Sequence, residues 1–172
     1  MARISEKNPR YRTKNQIAQD VAIILSTSVT YGTKYAVVRE ICWVWTEYTG
    51  KYNGCPHWSK KAAMQRTVNP KAKVKHEHLV PKKVVAKMLF ELREPTAETV
   101  REILDKYLIG VVVSPEEDAL LNSEHCATMP KEFFDPEHLD YQNPWLRYDR
   151  IGIELVQLKL SAGGGDAAVL SG

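Results

Sequence analysis

Ile109-Gly110-Val111-Val112-Val113 runs directly into Ser114-Pro115-Glu116-Glu117, and this junction constrains the fold more tightly than any other part of the chain. A β-branched run of this kind reads as a strand. The four residues after it read as a helix start. Ser114 is the N-cap, Pro115 occupies the first helical position, and Glu117 stands where a capping box needs it. Leu120 and Leu121 then pack this short helix against the sheet. Together with the second strand and the helical N-terminal region read from the rest of the chain, this junction makes an α+β chain the expectation.

A second strand is expected in Val74-Lys75-His76-Glu77-His78-Leu79-Val80-Pro81. Side chains alternate along a strand, so His76 and His78 share one face and Glu77 takes the other. Pro81 ends the strand and starts the next helix well. Two histidines and a carboxylate at a strand end make this the best candidate for a metal-dependent active site, although a solvated edge strand would carry the same triplet without any chemistry.

The run Glu77-His78-Leu79-Val80-Pro81 resembles the first motif of the HNH, or ββα-metal, endonucleases, which usually reads Asp-His-x-x-Pro. The resemblance covers roughly Lys75 to Ser123. It implies that His78 is the general base that takes a proton from the attacking water and that Glu77 binds one divalent cation, Mg²⁺ or Mn²⁺, at the scissile phosphate. Glutamate in place of aspartate adds one methylene. Asp118, in the first turn of the helix after the valine run, matches the position of the last metal ligand, while Glu117 is taken up by capping. His76 would serve as a supplementary metal ligand or orient the phosphate. Two departures stand out. The middle Asn of the family has no counterpart between Tyr107 and Gly110, and about 28 residues, Pro81 to Leu108, separate the two strands.

That insertion reads as two helices. Val84, Val85, Met88, Leu89 and Leu92 recur at helical spacing, and a second run starts at Thr96 with Val100, Ile103 and Leu104. The first third is also expected to be helical, with Ile17, Val21, Ile24 and Leu25 on one face and Val38, Ile41, Cys42, Trp45 and Tyr48 on another. Thr49 to Ser59 reads as a turn-rich loop mixing Lys51 with aromatics. It either touches nucleic acid or is a tight connection anchored by Trp58. Ile151 to Leu160 is compatible with strand or helix, and Ser161 to Gly172 is Gly-rich and reads as a mobile tail. The expected organisation is one domain over residues 1–160: a basic helical region at 1–73, a small ββα module with its helical insertion at 74–123, and an acidic packing segment at 124–160. Residues 161–172 follow as the tail.

Charge divides the chain. Residues 1–90 hold 17 Lys and Arg against 5 Asp and Glu, a balance of +12, and residues 91–172 hold 7 against 16, a balance of −9; together they give the net +3. The basic half includes Arg3, Lys7, Arg10, Arg12 and Lys14, then Lys51, Lys60, Lys61, Arg66, Lys71, Lys73, Lys75, Lys82 and Lys83. Such clustering suits a polyanion, since neutralised phosphates release counterions; a solvated basic face has the same composition. Of these residues, Lys60, Lys61, Arg66, Lys73, Lys75, Lys82 and Lys83 are the expected nucleic-acid contacts. The acidic half shields the basic half or meets a partner protein or a second copy.

Other classes find less support. Cys42, Cys55 and Cys126 are odd in number and lack a C-x-x-C spacing, so neither a disulfide framework nor a structural zinc is indicated. No apolar run approaches membrane-span length, and a cytoplasmic protein is expected. A phosphate-binding glycine loop, a nucleophile elbow and the H-E-x-x-H spacing are all missing. The sequence therefore leads to a metal-dependent endonuclease acting on nucleic acid, DNA in the first instance, in restriction, phage defence, mobile-element or repair roles. The alternative is a non-catalytic nucleic-acid-binding or regulatory protein carrying a degenerate HNH-like strand.

Overall fold

The structure, a computed structural model, describes residues 12–52 and 54–157. Arg3, Lys7, Arg10 and the Gly-rich tail lie outside the described residues. The chain is α+β, with seven α-helices and a four-stranded sheet among the described residues.

Helix α1 (Lys14–Ser26) starts at a capping box in which the Thr13 hydroxyl accepts from the Gln16 amide at 3.1 Å and the Gln16 side chain accepts from the Thr13 amide at 2.8 Å. Helix α2 (Tyr31–Thr46) follows after an extended break. Strand β1 (His57–Ser59) leads directly into α3 (Lys60–Val68), which Ser59 caps, and β2 (Lys75–His78) ends two residues before Val80-Pro81. Helices α4 (Lys82–Phe90) and α5 (Ala97–Tyr107) fill the insertion, and β3 (Gly110–Val113) runs into α6 (Pro115–His125). The Ser114 and Glu117 capping box forms as the sequence leads one to expect. A 3₁₀ turn at Lys131–Phe134, helix α7 (Leu146–Ile151) and strand β4 (Leu155–Gln157) complete the chain.

Strand order is β2-β3-β1-β4. β2 and β3 are antiparallel, β3 and β1 parallel, and β1 and β4 antiparallel. The β2-β3-α6 unit therefore does not stand alone. β1 comes from the segment read as a loop, β4 from the C-terminal segment, and both extend the same sheet. Trp58, expected to anchor a loop, is a buried strand residue whose indole donates to the Cys55 carbonyl at 3.1 Å.

Pairing register sorts the side chains. Glu77 is opposite Val111, and with Val113 it faces a cluster of Leu79, Leu121, Tyr148 and Ile153 contributed largely by α6, α7 and the segment after α7. His76 is opposite Val112 and His78 opposite Gly110, on the face that meets α2 and α3. A larger core of Ile17, Val21, Val38, Ile41, Trp45, Val84, Val85, Leu89, Val100 and Leu104 joins α1, α2, α4 and α5. The three valines of β3 are fully buried, each contributing roughly 1.5–3 kcal/mol through burial.

Gly110 is required by close approach. A Cβ at this position would lie 2.7 Å from His76 Nε2 and 2.9 Å from Cys55 Sγ. The missing side chain is what lets the His76 ring lie across the neighbouring strand.

Candidate active site

β2 is an edge strand, and that position decides what its last residues can reach. Beside its C-terminal end is a cleft of about 320 Å³. α2 contributes Tyr35, Arg39 and Trp43; β2 contributes Glu77 and His78; Pro81, Lys82, Lys83 and Ala86 come from the start of α4; Asn122, Cys126 and Ala127 come from the end of α6 and beyond. Glu77 and His78 point to opposite faces of the sheet, yet at an edge both faces open onto the same cleft.

His78 is only 3% exposed. Its Nε2 is 3.3 Å from the Thr46 hydroxyl, which donates its own hydrogen to the Cys42 carbonyl at 3.1 Å. With that hydrogen on the Cys42 carbonyl, the hydroxyl oxygen is placed to accept from the ring, an arrangement that puts the proton of the neutral imidazole on Nε2 and the lone pair on Nδ1. Burial, reinforced by His76, Lys82 and Arg147, pushes the pKa of His78 down to about 3. At neutral pH the ring is an uncharged base. The edge of His78 also packs on Trp43, with ring centroids 4.6 Å apart.

His76 is buried in the same face, slightly less completely than His78, and lies near Trp43 and His78. Burial, with help from Lys51 and Lys82, lowers its pKa to about 4. It does not line the cleft. The supplementary metal or phosphate role expected for it has no geometric basis here, because the ring is turned toward Gly110 and Cys55.

Glu77 is tied to Arg147. Nη2 of Arg147 donates to Glu77 Oε1 at 2.7 Å and to the His78 carbonyl at 2.8 Å, and Nη1 donates to the His125 carbonyl at 3.2 Å. Arg147 is 1% exposed, whereas the Glu77 side chain is 21% exposed. One guanidinium thus joins α7, the end of β2 and the end of α6. Tyr148 is also buried, and burial raises the pKa of its phenol well above the usual value.

Asp118, expected as the second metal ligand, is not among the residues lining the cleft. Its place is taken by Asn122, one turn further along the same face of α6. Asn122 Nδ2 donates to the Asp118 carbonyl at 2.7 Å, which leaves Oδ1 as a free acceptor. The four-residue spacing from Asp118 was the available signal, since such residues share a helical face. Glu117 is occupied with capping, its carboxylate accepting from the Ser114 amide and the Ser59 hydroxyl. Among the described residues, no group of three or more His, Cys, Asp and Glu side chains is gathered closely enough to hold a metal ion.

The expected cations separate into groups. Lys82 and Lys83 line the cleft, and Arg39, which sequence reasoning missed, joins them. Lys82 Nζ is 3.8 Å from the Trp43 ring centroid, and burial lowers its pKa. Lys60 and Lys61 lie elsewhere, paired with Glu154 at 2.8 Å and Glu116 at 3.1 Å. Arg66 bonds the Pro70 carbonyl and lies over the Tyr52 ring. Lys75 begins β2 and Lys73 lies two residues before it, both outside the cleft-lining set. These five therefore do not form part of the cleft wall.

Comparison with protein-family models, curated proteins and solved structures gave no match to this chain. No helix among the described residues is long and apolar enough to cross a membrane.

Proposed function

We propose that this chain is a metal-dependent nuclease of the HNH type, acting on nucleic acid and on DNA in the first instance. The observation that carries the reading is the His78 imidazole, positioned by Thr46 in the wall of a cleft that also presents Arg39, Lys82 and Lys83. A neutral imidazole beside a cationic rim supports phosphodiester hydrolysis once an anionic phosphate in the cleft raises the histidine's pKa toward the working pH.

Magnesium or manganese takes one or two protein carboxylate or carbonyl oxygens and leaves the remaining positions to water and substrate phosphate, so Glu77 and Asn122 are the residues that would hold it. Glu77 keeps its Oε2 and Asn122 its Oδ1 for that purpose. A bound ion would polarise a phosphoryl oxygen and stabilise the charge that develops there. The protein's own groups supply the rest. His78 Nδ1 accepts a proton from water as the water oxygen forms its bond to phosphorus and the bond to the departing strand breaks. Arg39, Lys82 and Lys83 hold the flanking phosphates. Arg147 holds Glu77 and, through the His78 carbonyl, the backbone that carries the base.

A second reading, nucleic-acid binding without hydrolysis, draws on the same ion pair. Glu77 is already matched by a buried guanidinium, and a cation entering the cleft must share it.

Incubation with plasmid DNA and Mg²⁺ or Mn²⁺, beside an EDTA control and the His78→Gln variant, separates the two. The nuclease reading expects nicking that requires metal and falls by on the order of 10²–10⁴ in the variant, with circular dichroism showing a retained fold. Cleavage undiminished in folded His78→Gln would sink the assignment of His78. Binding without cleavage in the unmodified chain would move the protein to the second reading.

A further inference from the structure

Tyr31, Tyr35, Arg39 and Trp43 recur every four residues along α2 and form one stripe of that helix. Contacts at its two ends show what the stripe borders. Lys82 lies over Trp43, and the Tyr31 and Phe90 rings are 4.8 Å apart. α4 begins at Lys82 and ends at Phe90, so α2 and α4 run antiparallel with the stripe along their shared seam.

Each end of this seam opens into a cavity. At one end is the His78 cleft, with Arg39, Lys82 and Lys83. At the other is a cavity of about 500 Å³ whose lining includes Lys34, Phe90 and Arg93. At the far end Tyr31 is 66% exposed, and its ring lies 6.1 Å from that of Tyr35 with planes only 19° apart. The nearby acids are Glu94, which shares the far cavity with Arg93, Glu91, which pairs with Lys87 at 3.7 Å, and, at the cleft end, Glu77, held by Arg147, and Glu40, both close enough to act on Lys82. The seam therefore carries aromatic rings along its length, with Arg39, Lys82 and Lys83 toward the cleft and Lys34 and Arg93 in the far cavity.

We propose that the seam between α2 and α4 is a track for an unpaired nucleic-acid strand leading into the His78 cleft. Bases stack on Tyr31 and Tyr35, and phosphates meet Arg39 and Lys83. Aromatic stacking requires an open base face, which a duplex keeps inside its own stack, so the track selects single strands or locally melted ends. Twelve residues of helix separate Tyr31 from Trp43, a span of about 18 Å. That length accommodates about five nucleotides at ~3.4 Å per stacked base. The inference rests on the nuclease reading only in taking nucleic acid as the ligand.

Fluorescence anisotropy on the full chain in EDTA, where strands stay intact under the nuclease reading, tests the track. The probes are a labelled oligothymidylate, the matching oligouridylate and a duplex of equal length. The track expects at least one single strand to bind more tightly than the duplex. It also expects Tyr31→Ala and Tyr35→Ala each to weaken single-strand binding about fivefold or more, with duplex affinity unchanged. The thymidylate and uridylate arms tell DNA from RNA. Equal affinity for both single strands and the duplex, or single-strand binding indifferent to folded Tyr31→Ala, overturns the track, as does no binding at all. None of the first two outcomes touches the nuclease reading, which stands or falls on metal-dependent cleavage that needs His78.

Discussion

The two faces of β2 handle polarity in opposite ways. On the α2 face, His76 and His78 are buried as neutral rings, with pKa values lowered to about 4 and about 3. On the other face, one residue away, Glu77 is held by the buried guanidinium of Arg147. A four-residue edge strand thus puts an uncharged base and a charge-matched carboxylate beside one cleft. The difference teaches that a buried imidazole sheds its proton when no anion faces it, whereas a carboxylate in similar surroundings needs a cation built around it.

The largest effect is expected from breaking the charged face. Arg147→Met removes the guanidinium and leaves Glu77 and two backbone carbonyls without their donor, at a cost of about 3–5 kcal/mol. Chemical denaturation should show that loss, and Glu77→Gln in the same chain should recover part of it. A loss below about 1 kcal/mol would mean that the pair does not organise the site.

The histidine face can be probed by pH. Both rings have folded pKa values below the ordinary one, so the unfolded chain binds protons that the folded chain does not as pH falls through about 6.5 toward 4 and 3. Their stabilising contribution is present above pH ~6.5 and is lost with acid. Between pH 6.5 and 5.5 the pair should cost about 2 kcal/mol, a range in which ordinary carboxylates stay ionised. His76→Gln should reduce the slope of stability against pH by roughly half; an unchanged slope would show that His76 is not buried as a neutral ring.

A smaller effect should come from Gly110→Ala. The new methyl would meet the His76 ring and Cys55, and overpacking of this kind costs about 1–3 kcal/mol. A change in Trp43 fluorescence should accompany the loss, because His76 packs near that indole.

The smallest effect on stability belongs to α6. Asp118→Asn and Asn122→Ala should each change it by about 0.5 kcal/mol or less, and they should separate in a metal-dependent cleavage assay. Asn122→Ala is expected to weaken cleavage and Asp118→Asn to leave it nearly intact. The reverse result would return the ligand role to Asp118.

Much of the local structure was legible. The helical spacings of α1, α2, α4 and α5, the strand at Lys75–His78, Pro81 just before α4 and the Ser114-Glu117 capping box all depend on neighbours within a few residues. β1 and α3 escaped because a three-residue strand carries almost no periodic signal and His57-Trp58-Ser59 follows a turn-rich stretch. β4 was left open between strand and helix for the same reason. Asp118 was preferred to Asn122 because its carboxylate matches a motif, while which turn of α6 faces the cleft depends on how that helix lies against the sheet.

The sequence by itself determined the α+β class, the alternation that puts His76 and His78 on one face of β2, and the divided charge. Local rules govern all three: side-chain period, capping geometry and composition. Tertiary structure alone decided that β2 lies at an edge, that Arg147 arrives from 70 residues away to hold Glu77, that the Thr46 hydroxyl meets the His78 ring, and that Lys82 and Lys83 line the cleft with Arg39 while Lys60 and Lys61 do not. Those outcomes depend on contacts between distant segments. Such contacts are chosen by the joint packing of the whole core, and no window of neighbouring residues contains them.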